Sequence, residues 1–212
     1  MSTPPDRRTR KRLATRQSIS DAATRLFLER GFDHVTVDEI AEAADVGRKT
    51  VFNHFSRKED MFFDLDDQGR EDLREALQER DIHVGLTETL RLFAHRSVAE
   101  ERPYIRFFDG VEKFVETMMA SEALKARARA IRDELTSVVA VALSEAIGCK
   151  QPDPIANLAA SVFVATWTVA FIEAHRIFSE KRNVEEAKAT FLAIVDQGTR
   201  GLKAAMEGTP FA

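Results

Sequence analysis

The sequence predicts an all-α protein in which an N-terminal three-helix domain with a helix-turn-helix precedes a larger helical domain. Apolar residues recur at helical spacing along nearly the whole chain. Residues that begin and end helices separate these apolar stripes, and no segment alternates convincingly between apolar and polar residues as a half-buried strand would. With 212 residues, of which 44% are hydrophobic, the chain is long enough to bury a core.

The first predicted helix carries a single apolar stripe. The stripe consists of Ile19, Ala22, Ala23, Leu26 and Phe27. Gly31 is expected to end the helix as a left-handed C-terminal cap, with Phe32 placed to fold back on the last turn. Residues 1–17 are expected to form a flexible basic arm. Its charges are Arg7, Arg8, Arg10, Lys11, Arg12 and Arg16 against Asp6 alone. Such an arm either contacts a polyanion or is a solvated tail without a partner.

Several signals for a helix start coincide at Thr36. Thr36 is predicted to be the N-cap, and Glu39 three residues later completes a capping box. Val35 and Ile40 have the spacing of a hydrophobic staple, which fixes the direction in which the chain enters the helix.

The rest of the chain is predicted to form six further helices. Their approximate bounds are 58–80 with Gly69 as an internal weak point, 85–99, 104–118, 124–143, 154–180 and 184–206. Gly148, Pro152 and Pro154 separate the fourth of these from the fifth. The domain boundaries that follow are 1–17 for the arm, 18–57 for the helix-turn-helix domain and 58–212 for the second domain.

Charge and cysteine content limit the classes of protein that this chain can be. The net charge is −4, yet residues 1–60 hold 12 Lys and Arg against 10 Asp and Glu, while the rest holds 19 against 25. One cysteine excludes a disulfide framework and fits a reducing cytoplasm. The basic start of the chain has no apolar run behind it and is therefore not read as a secretory signal.

Residues 154–172 contain no charged side chain and approach the length of a membrane span. Asn157, Ser161, Thr166 and Thr168 interrupt the run, and five alanines keep it small. We therefore interpret the segment as a helix buried on most sides, partly by a second copy of the chain.

The segment Val37–Phe55 has the pattern of a helix-turn-helix. Ala41 is small enough for two helices to approach closely, and Asp45 occupies the tight turn between them. The apolar residues of the predicted inner faces are Ile40, Ala44, Val46 and Val51. This geometry presents the second helix to the major groove of DNA.

Residues 18–65 resemble the tetracycline-repressor (TetR) family of bacterial transcriptional regulators. The resemblance depends on Phe27–Glu29, Gly31–Phe32, Thr36–Val37, Ile40–Ala41, Thr50–Val51–Phe52, His54–Phe55 and Lys58. Three positions depart from the family pattern: Asp45 stands where Gly is usual, Gly47 where Ser is usual, and Phe52 where Tyr is usual. The last change deletes a hydroxyl that often reaches a phosphate in relatives.

The resemblance implies a set of DNA contacts. Arg48, Lys49 and Thr50 open the helix that would read base edges, and Asn53 can reach adenine or face water. The expected backbone phosphate contacts are Thr36, His54 and Lys58. Phe52 and Phe55 are assigned to packing.

The second domain is expected to form a homodimer and to bind a small effector. Two helix-turn-helix units on a twofold axis read a palindromic operator, and the last two helices would join the chains in a four-helix bundle. Gly198 and Gly201 would allow close approach there. An apolar effector of unknown identity would be bound by His95, Tyr104, Phe107, Phe108, Phe163, Trp167, Phe171 and His175, which can also be ordinary core residues.

No catalytic, metal or cofactor site is expected. The five histidines form no HExxH pattern, and the chain has no phosphate-binding loop, dinucleotide fingerprint or GxSxG motif. The predicted function is a repressor that its effector releases from the operator. The alternative is a DNA-bound architectural or partner-recruiting protein without an effector.

Overall fold

The computed structural model describes residues 6–81, 83–107, 110–149, 151 and 153–211. In this part of the chain we find α-helices and short 3₁₀ turns and no strand, which confirms the all-α prediction. The helices are α1 Arg7–Arg30, α2 Val37–Ala43, α3 Arg48–His54, α4 Glu59–Phe62, α5 Asp66–Gln78, α6 Leu86–Ala99, α7 Val111–Ala120, α8 Glu122–Ala146, α9 Pro154–Lys181 and α10 Val184–Ala205.

The chain divides into two compact units. The N-terminal unit consists of Met1–Asp64 and Glu112–Ala128, and the C-terminal unit of Leu65–Val111 and Arg129–Ala212. The N-terminal unit therefore takes in more of the chain than the predicted segment 18–57.

Helix α1 begins at Arg7, eleven residues earlier than the flexible arm predicted for residues 1–17 would allow. Asp6 caps it by accepting a hydrogen bond from the backbone N–H of Thr9 at 2.7 Å. The residues that follow are mostly Arg, Lys, Leu, Ala and Gln, which lose little side-chain freedom in a helix. Helix α1 therefore extends through them. The prediction of a flexible arm is wrong for residues 7–17.

The end of α1 agrees with the sequence except in the conformation of its glycine. Gly31 follows the last helical residue and has φ 83° and ψ 144°, a positive φ outside the left-handed helical region that we predicted. The next residue folds back as expected, because the rings of Phe27 and Phe32 lie 4.8 Å apart.

The core of the N-terminal unit joins α1, α2 and α3 to α4 and to the start of α8. Its fully buried members include Phe27, Ile40 and Met61, and Leu124 of α8 packs into the same cluster. The rings of Phe62 and Phe114 stack at 4.0 Å. Arg127 of α8 also pairs with Asp60 of α4 at 2.8 Å.

The predicted helix 58–80 is two helices, because the chain turns at residues 63–65. Met61 and Phe62 are buried in the N-terminal unit, and the hydroxyl of Ser20 donates a hydrogen bond to the Asp64 carboxylate. These contacts fix the end of α4, and burial raises the pKa of Asp64 despite the hydrogen bond. Phe63 then leaves the helical conformation with φ −105° and ψ 40°. The prediction of one continuous helix is wrong.

Gly69 lies inside α5, where we expected a weak point of the helix. A Cβ at this position would lie 3.4 Å from the ring of Tyr104. The missing side chain thus lets this ring approach the helix backbone closely. Tyr104 belongs to a 3₁₀ turn, Pro103–Ile105, so the predicted helix 104–118 is also wrong: regular helix begins only at Val111. The backbone of Arg106 is extended, with φ −78° and ψ 137°, so the turn does not continue into a longer helix.

The C-terminal unit is built around α9 and α10, which pack against each other along their length, with α6 against α10. Asp153 caps α9 and Pro154 is its first residue, as the predicted break between helices requires. Pro152, named for the same break, lies outside the described residues. Helices α9 and α10 approach closely at Gly198, where a Cβ would lie 2.2 Å from the Thr166 side chain. Gly198 therefore serves packing within the chain.

Helix α9 is long and apolar enough to cross a membrane by length and composition. One third of its most apolar window is buried within this chain. The buried face carries Ala156, Ala159, Phe163 and Ala170, and the opposite face exposes large apolar side chains, among them Ile172 with 63% exposure.

Candidate nucleic-acid interface

The turn between α2 and α3 has the conformation that a helix-turn-helix requires. The Thr36 hydroxyl and the Glu39 carboxylate form the predicted capping box at the start of α2. Asp45 has φ 52°, in the left-handed region, and the N–H of Val46 donates to the carbonyl of Ala41 at 3.0 Å. Gly47 is the N-cap of α3. The local signals of the sequence therefore predicted this turn correctly.

The inner faces of α2 and α3 are buried as predicted. Ile40 and Val51 are fully buried, Ala44 is buried and Val46 is half-buried. Phe55, the residue after α3, packs into the same core. Because α3 is anchored through Val51 and Phe55, its other side is presented to solvent on a rigid base.

The outer face of α3 exposes most of the residues that we assigned to DNA. Arg48, Lys49 and Asn53 are exposed, and Thr50 is half-buried. Phe52, which we assigned to packing, is 46% exposed, and this assignment is wrong. Val51 points inward, so the next residue lies about 100° further round the helix and faces outward.

An acidic side chain on α2 holds Arg48 in the free protein. The guanidinium of Arg48 lies 2.6 Å from the carboxylate of Asp38 and 5.6 Å from the centre of the Phe52 ring. Both charged side chains are exposed, so the ion pair is open to exchange with another anion.

A carboxylate of the chain itself, that of Glu39, occupies the start of α2. The carboxylate of Glu39 accepts hydrogen bonds from both the backbone N–H and the hydroxyl of Thr36, each at 2.8 Å. Arg30 also donates to it at 2.7 Å. These bonds, chiefly the one from the Thr36 N–H, lower the pKa of Glu39 to about 2. A phosphate at Thr36 would share the hydroxyl with this carboxylate.

Lys58, assigned to a phosphate contact, points into the N-terminal unit. Its ammonium donates to the carbonyl oxygens of Phe32 and Val35, both at 2.9 Å, and lies 4.1 Å from the centre of the Phe32 ring. Burial lowers its pKa, opposed by the charges of Asp33 and Glu59. This geometry ties the loop before α2 to the start of α4.

His54 lies where α3 meets α1. Its backbone carbonyl accepts a hydrogen bond from Arg16 at 2.6 Å, and the same guanidinium lies 4.1 Å above the Phe55 ring. Burial is the main cause that lowers the pKa of His54, and the positive charges of Arg12 and Arg16 add to it. The sequence pattern gave no sign of this contact, because 38 residues separate Arg16 from His54.

The described residues assigned to an effector are spread over several places in the C-terminal unit. Tyr104 donates to Asp72 at 2.9 Å, and His95 pairs with Asp196 at 2.8 Å. Phe163 and Trp167 are packed in the core, where the Trp167 ring stacks on Phe93. Phe108 lies outside the described residues.

Another of these places is a cluster of aromatic rings around His175. Phe107 and Phe171 have ring centres 4.9 Å and 4.2 Å from the imidazole. His175 is only 6% exposed, and neither ring nitrogen has a hydrogen-bond partner among the described residues. Burial lowers its pKa to about 4.

The described residues of the C-terminal unit line at least two surface cavities. One, of about 190 Å³, is lined by Ser97, Ile105, Phe107 and Lys188 among others, so Phe107 belongs both to its wall and to the cluster around His175. The other, of about 240 Å³, lies between Arg74 and Val141 and includes none of the residues that we assigned to an effector.

The sequence of the N-terminal unit is similar to that of known regulators. Residues 19–65 match the family model described as "Bacterial regulatory proteins, tetR family". The chain is 45% identical over 62 residues to the HTH-type transcriptional regulator TcmR of Streptomyces glaucescens, which is 28% of this chain and 27% of that protein. It is 35% identical over 81 residues to the HTH-type transcriptional repressor AcnR of Corynebacterium diphtheriae, or 38% of this chain and 40% of the relative. The matches thus span about a quarter to two fifths of these relatives.

Solved structures extend the likeness to the fold of almost the whole chain. A complex of SmeT, the repressor of the Stenotrophomonas maltophilia multidrug efflux pump SmeDEF, with triclosan is similar with a TM-score of 0.57 and 20% identity, over 89% of this chain and 91% of that one. NalD, the secondary repressor of the MexAB-OprM pump of Pseudomonas aeruginosa, is similar with a TM-score of 0.53 and 20% identity, over 90% and 97%.

Proposed function

We propose that this protein is a homodimeric transcriptional repressor that binds a palindromic operator. The premise is that residues 19–65 are a DNA-binding domain of the TetR type, on a chain with the TetR fold. The observation that carries the proposal is the exposed outer face of α3, which begins with Arg48 and Lys49 and rests on a buried inner face. A helix so presented fits the major groove, where Arg and Lys contact guanine.

The exposed apolar stripe of α9 supports dimerisation through the last two helices. Its members, Ile155, Leu158, Val162, Ala165, Val169 and Ile172, alternate steps of three and four residues, the spacing of a helix–helix seam. All except the half-buried Val162 are exposed in the single chain. Helix α10 exposes small residues, including Ala189, Ala193 and Gly201. A second copy of the chain would cover both faces and form a four-helix bundle.

This arrangement also explains why α9 is as apolar as a membrane span. A helix that is apolar all round is buried in protein or in lipid, and α9 buries one face against α10 and the core, while a second copy would cover the exposed stripe. Its last turns carry exposed ion pairs of Arg176 with Glu173 and Glu180. We therefore propose a dimer in the cytoplasm.

The dimer is tested by placing a charge in the stripe. Ile172→Glu should convert the protein to a monomer in sedimentation velocity at micromolar concentration, while its circular dichroism stays helical. Val141→Glu is the matched control, since Val141 is also an exposed β-branched apolar residue of the C-terminal unit but lies on α8. An Ile172→Glu variant that stays dimeric would contradict the proposed interface.

A small apolar molecule with one hydrogen-bonding group is the effector that we propose. His175 supports this class, because a buried imidazole without a partner among the described residues offers one donor and one acceptor between aromatic rings. The neighbouring cavity of about 190 Å³ is smaller than ordinary ligand pockets, which hold about 300–1,000 Å³. A bound effector would therefore displace the Phe107 ring, which lies between the cavity and His175.

The operator is tested by selecting bound fragments from genomic DNA and measuring affinity for the selected site. Arg48→Ala and Lys49→Ala should each lose preference for that site by about 1–3 kcal/mol per half-site while keeping weak binding to unrelated duplex. Arg25→Ala should bind as the native chain does, because it removes an exposed arginine from the side of α1 opposite to Arg16, which contacts α3. If the two α3 variants bind the selected site normally, α3 does not read DNA.

The architectural alternative differs in its response to small molecules. A panel of phenols and aromatic carboxylic acids should include compounds that release the native protein from the selected site. His175→Leu should bind the same DNA and resist release. DNA binding that no compound of the panel changes would favour a DNA-bound protein without an effector.

A further inference from the structure

The first turns of α1 form a basic surface that the family resemblance does not cover. The matched segment begins at residue 19, whereas α1 begins at Arg7. Six basic residues lie within residues 7–16, and the single acidic residue nearby, Asp6, is engaged with the backbone as the N-cap. All of these basic side chains are exposed except Arg16, which is half-buried.

Three of these arginines lie in one row. Arg8, Arg12 and Arg16 are spaced four residues apart, so they share a face of the helix and extend over about 12 Å at 1.5 Å per residue. We call Arg8, Arg12 and Arg16 the basic row. Among the residues that the structure describes, no ion pair is found for Arg8 or Arg12.

The inner end of the basic row is fixed to the recognition helix. Arg16 donates to the carbonyl of His54, the last residue of α3, and stacks on Phe55. Arg12, one turn further out, is close enough for its charge to act on the His54 imidazole. The row therefore continues the outer surface of α3 away from its C-terminal end.

The charges of the row are unfavourable for an isolated helix. Like charges four residues apart repel each other, and basic side chains in the first turns oppose the helix dipole. The first turn of α1 contains no acidic residue, so the carboxylate of Asp6 at the N-cap compensates these charges only in part. A polyanion beside this face would remove both penalties, and a duplex presents one negative charge per strand for about every 3.4 Å of its axis.

We infer that the basic row is a second DNA-binding surface, in which Arg8 and Arg12 contact backbone phosphates next to the groove that α3 enters. The inference rests on the proposed function and adds to it a contact that does not depend on base sequence. Phosphate contacts of this kind set the register of a protein on the duplex and the salt dependence of its affinity.

The test is the salt dependence of DNA binding by the double variant Arg8→Gln/Arg12→Gln. Fluorescence anisotropy would measure the dissociation constant of the full-length protein for the selected site and for an unrelated duplex between about 50 and about 200 mM salt, the range over which such contacts change affinity. Arg25→Gln serves as the control, because it removes an exposed arginine from the same helix on the opposite side. Circular dichroism would report the helix content of each variant.

We expect the slope of log affinity against log salt to fall by about 0.9 for each phosphate that an arginine no longer neutralises, or about 3.6 for two arginines in both copies of a dimer. Affinity should fall by the same factor on both duplexes, so the preference for the selected site is retained. Helix content should stay the same or rise, since the variant relieves repulsion.

A double variant with the native slope, or one that loses affinity only for the selected site, would overturn the inference. These results are distinct from failure of the proposed function. That failure would appear as a native protein that prefers no duplex, or as α3 variants that bind the selected site normally.

Discussion

The guanidinium of Arg48 lies 2.6 Å from the carboxylate of Asp38, so the first residue of the recognition helix is paired with the preceding helix in the free protein. Both side chains are more than half exposed. The pair holds the guanidinium near α2 and places a negative charge on a surface that we expect to face phosphates. DNA binding must therefore exchange this carboxylate for a base edge or a phosphate.

Asp38→Asn should bind DNA more tightly than the native chain. An exposed ion pair is worth about 0.2–1 kcal/mol, so removing it from both copies of the dimer should lower the dissociation constant up to about 30-fold. Glu42→Gln, which removes a charge from the same helix at a position without an observed ion pair to Arg48, should have a smaller effect. Titrations of the selected site at fixed salt provide the measurement. Equal affinities for Asp38→Asn and Glu42→Gln would mean that the pair does not restrain Arg48.

The success of sequence reasoning in this region has a local cause. The capping box of Thr36 and Glu39, the positive φ of Asp45 and the inward position of Val51 all depend on residues within a few positions of one another. Local backbone geometry and helical spacing determine such features. The exposed position of Phe52 followed from the same spacing, but its apolar character led us to assign it to packing.

The features that sequence reasoning missed depend on contacts between distant residues. The chain turns after α4 because Asp64 bonds to Ser20, which lies 44 residues away. Arg16 reaches the carbonyl of His54 across 38 residues. Periodicity carries no information about such pairs, so the straight helix 58–80 and the flexible arm were both wrong. In the C-terminal unit, the same limitation prevented a choice between core and pocket for Trp167.

Lys58→Met should reduce stability more than it reduces DNA affinity. The variant removes two hydrogen bonds from a charged donor to the carbonyls of Phe32 and Val35, and bonds of this kind contribute about 1.5–3 kcal/mol each at most. Lys58 is partly exposed, so water can replace part of these hydrogen bonds in the variant. We therefore expect a loss of about 2 kcal/mol in the free energy of unfolding, measured with urea.

The competing outcome for Lys58 is a phosphate contact, as the family resemblance implied. In that case Lys58→Met would flatten the salt dependence of binding by about 0.9 units of slope for each copy, or about 1.8 for the dimer, at unchanged stability. Arg57→Met, at the exposed neighbouring position, controls for the loss of one positive charge near α3. Unfolding and binding measured on the same preparations distinguish the two roles.

Gly198→Ala should destabilise the protein, although alanine is the better helix former. The added Cβ would lie 2.2 Å from Cγ2 of Thr166, and such overpacking costs about 1–3 kcal/mol. Gly201→Ala is the matched control on the same helix, since no atom lies within 4 Å of where its Cβ would be. It should gain up to about 1 kcal/mol from helix propensity in the single chain. Thr166→Ala should partly rescue Gly198→Ala, and its failure to do so would mean that another neighbour is responsible.

His175 should make the native protein less stable as the pH falls. Burial lowers the pKa of His175 to about 4 in the folded chain, whereas an unfolded histidine titrates near about 6.5. Between these values the unfolded chain binds a proton that the folded chain does not. The free energy of unfolding should therefore fall as the pH is lowered from about 6.5 to about 4, by roughly 3 kcal/mol in total, and stay constant with respect to this group above about 6.5.

Urea unfolding of the native protein and His175→Leu across this range gives the contribution by difference, with His34→Leu, an exposed histidine, as control. If the native and His175→Leu curves run parallel from about pH 7 to about pH 4, the imidazole is solvated in the folded protein. In that case His175 is not the buried polar group of the proposed effector site.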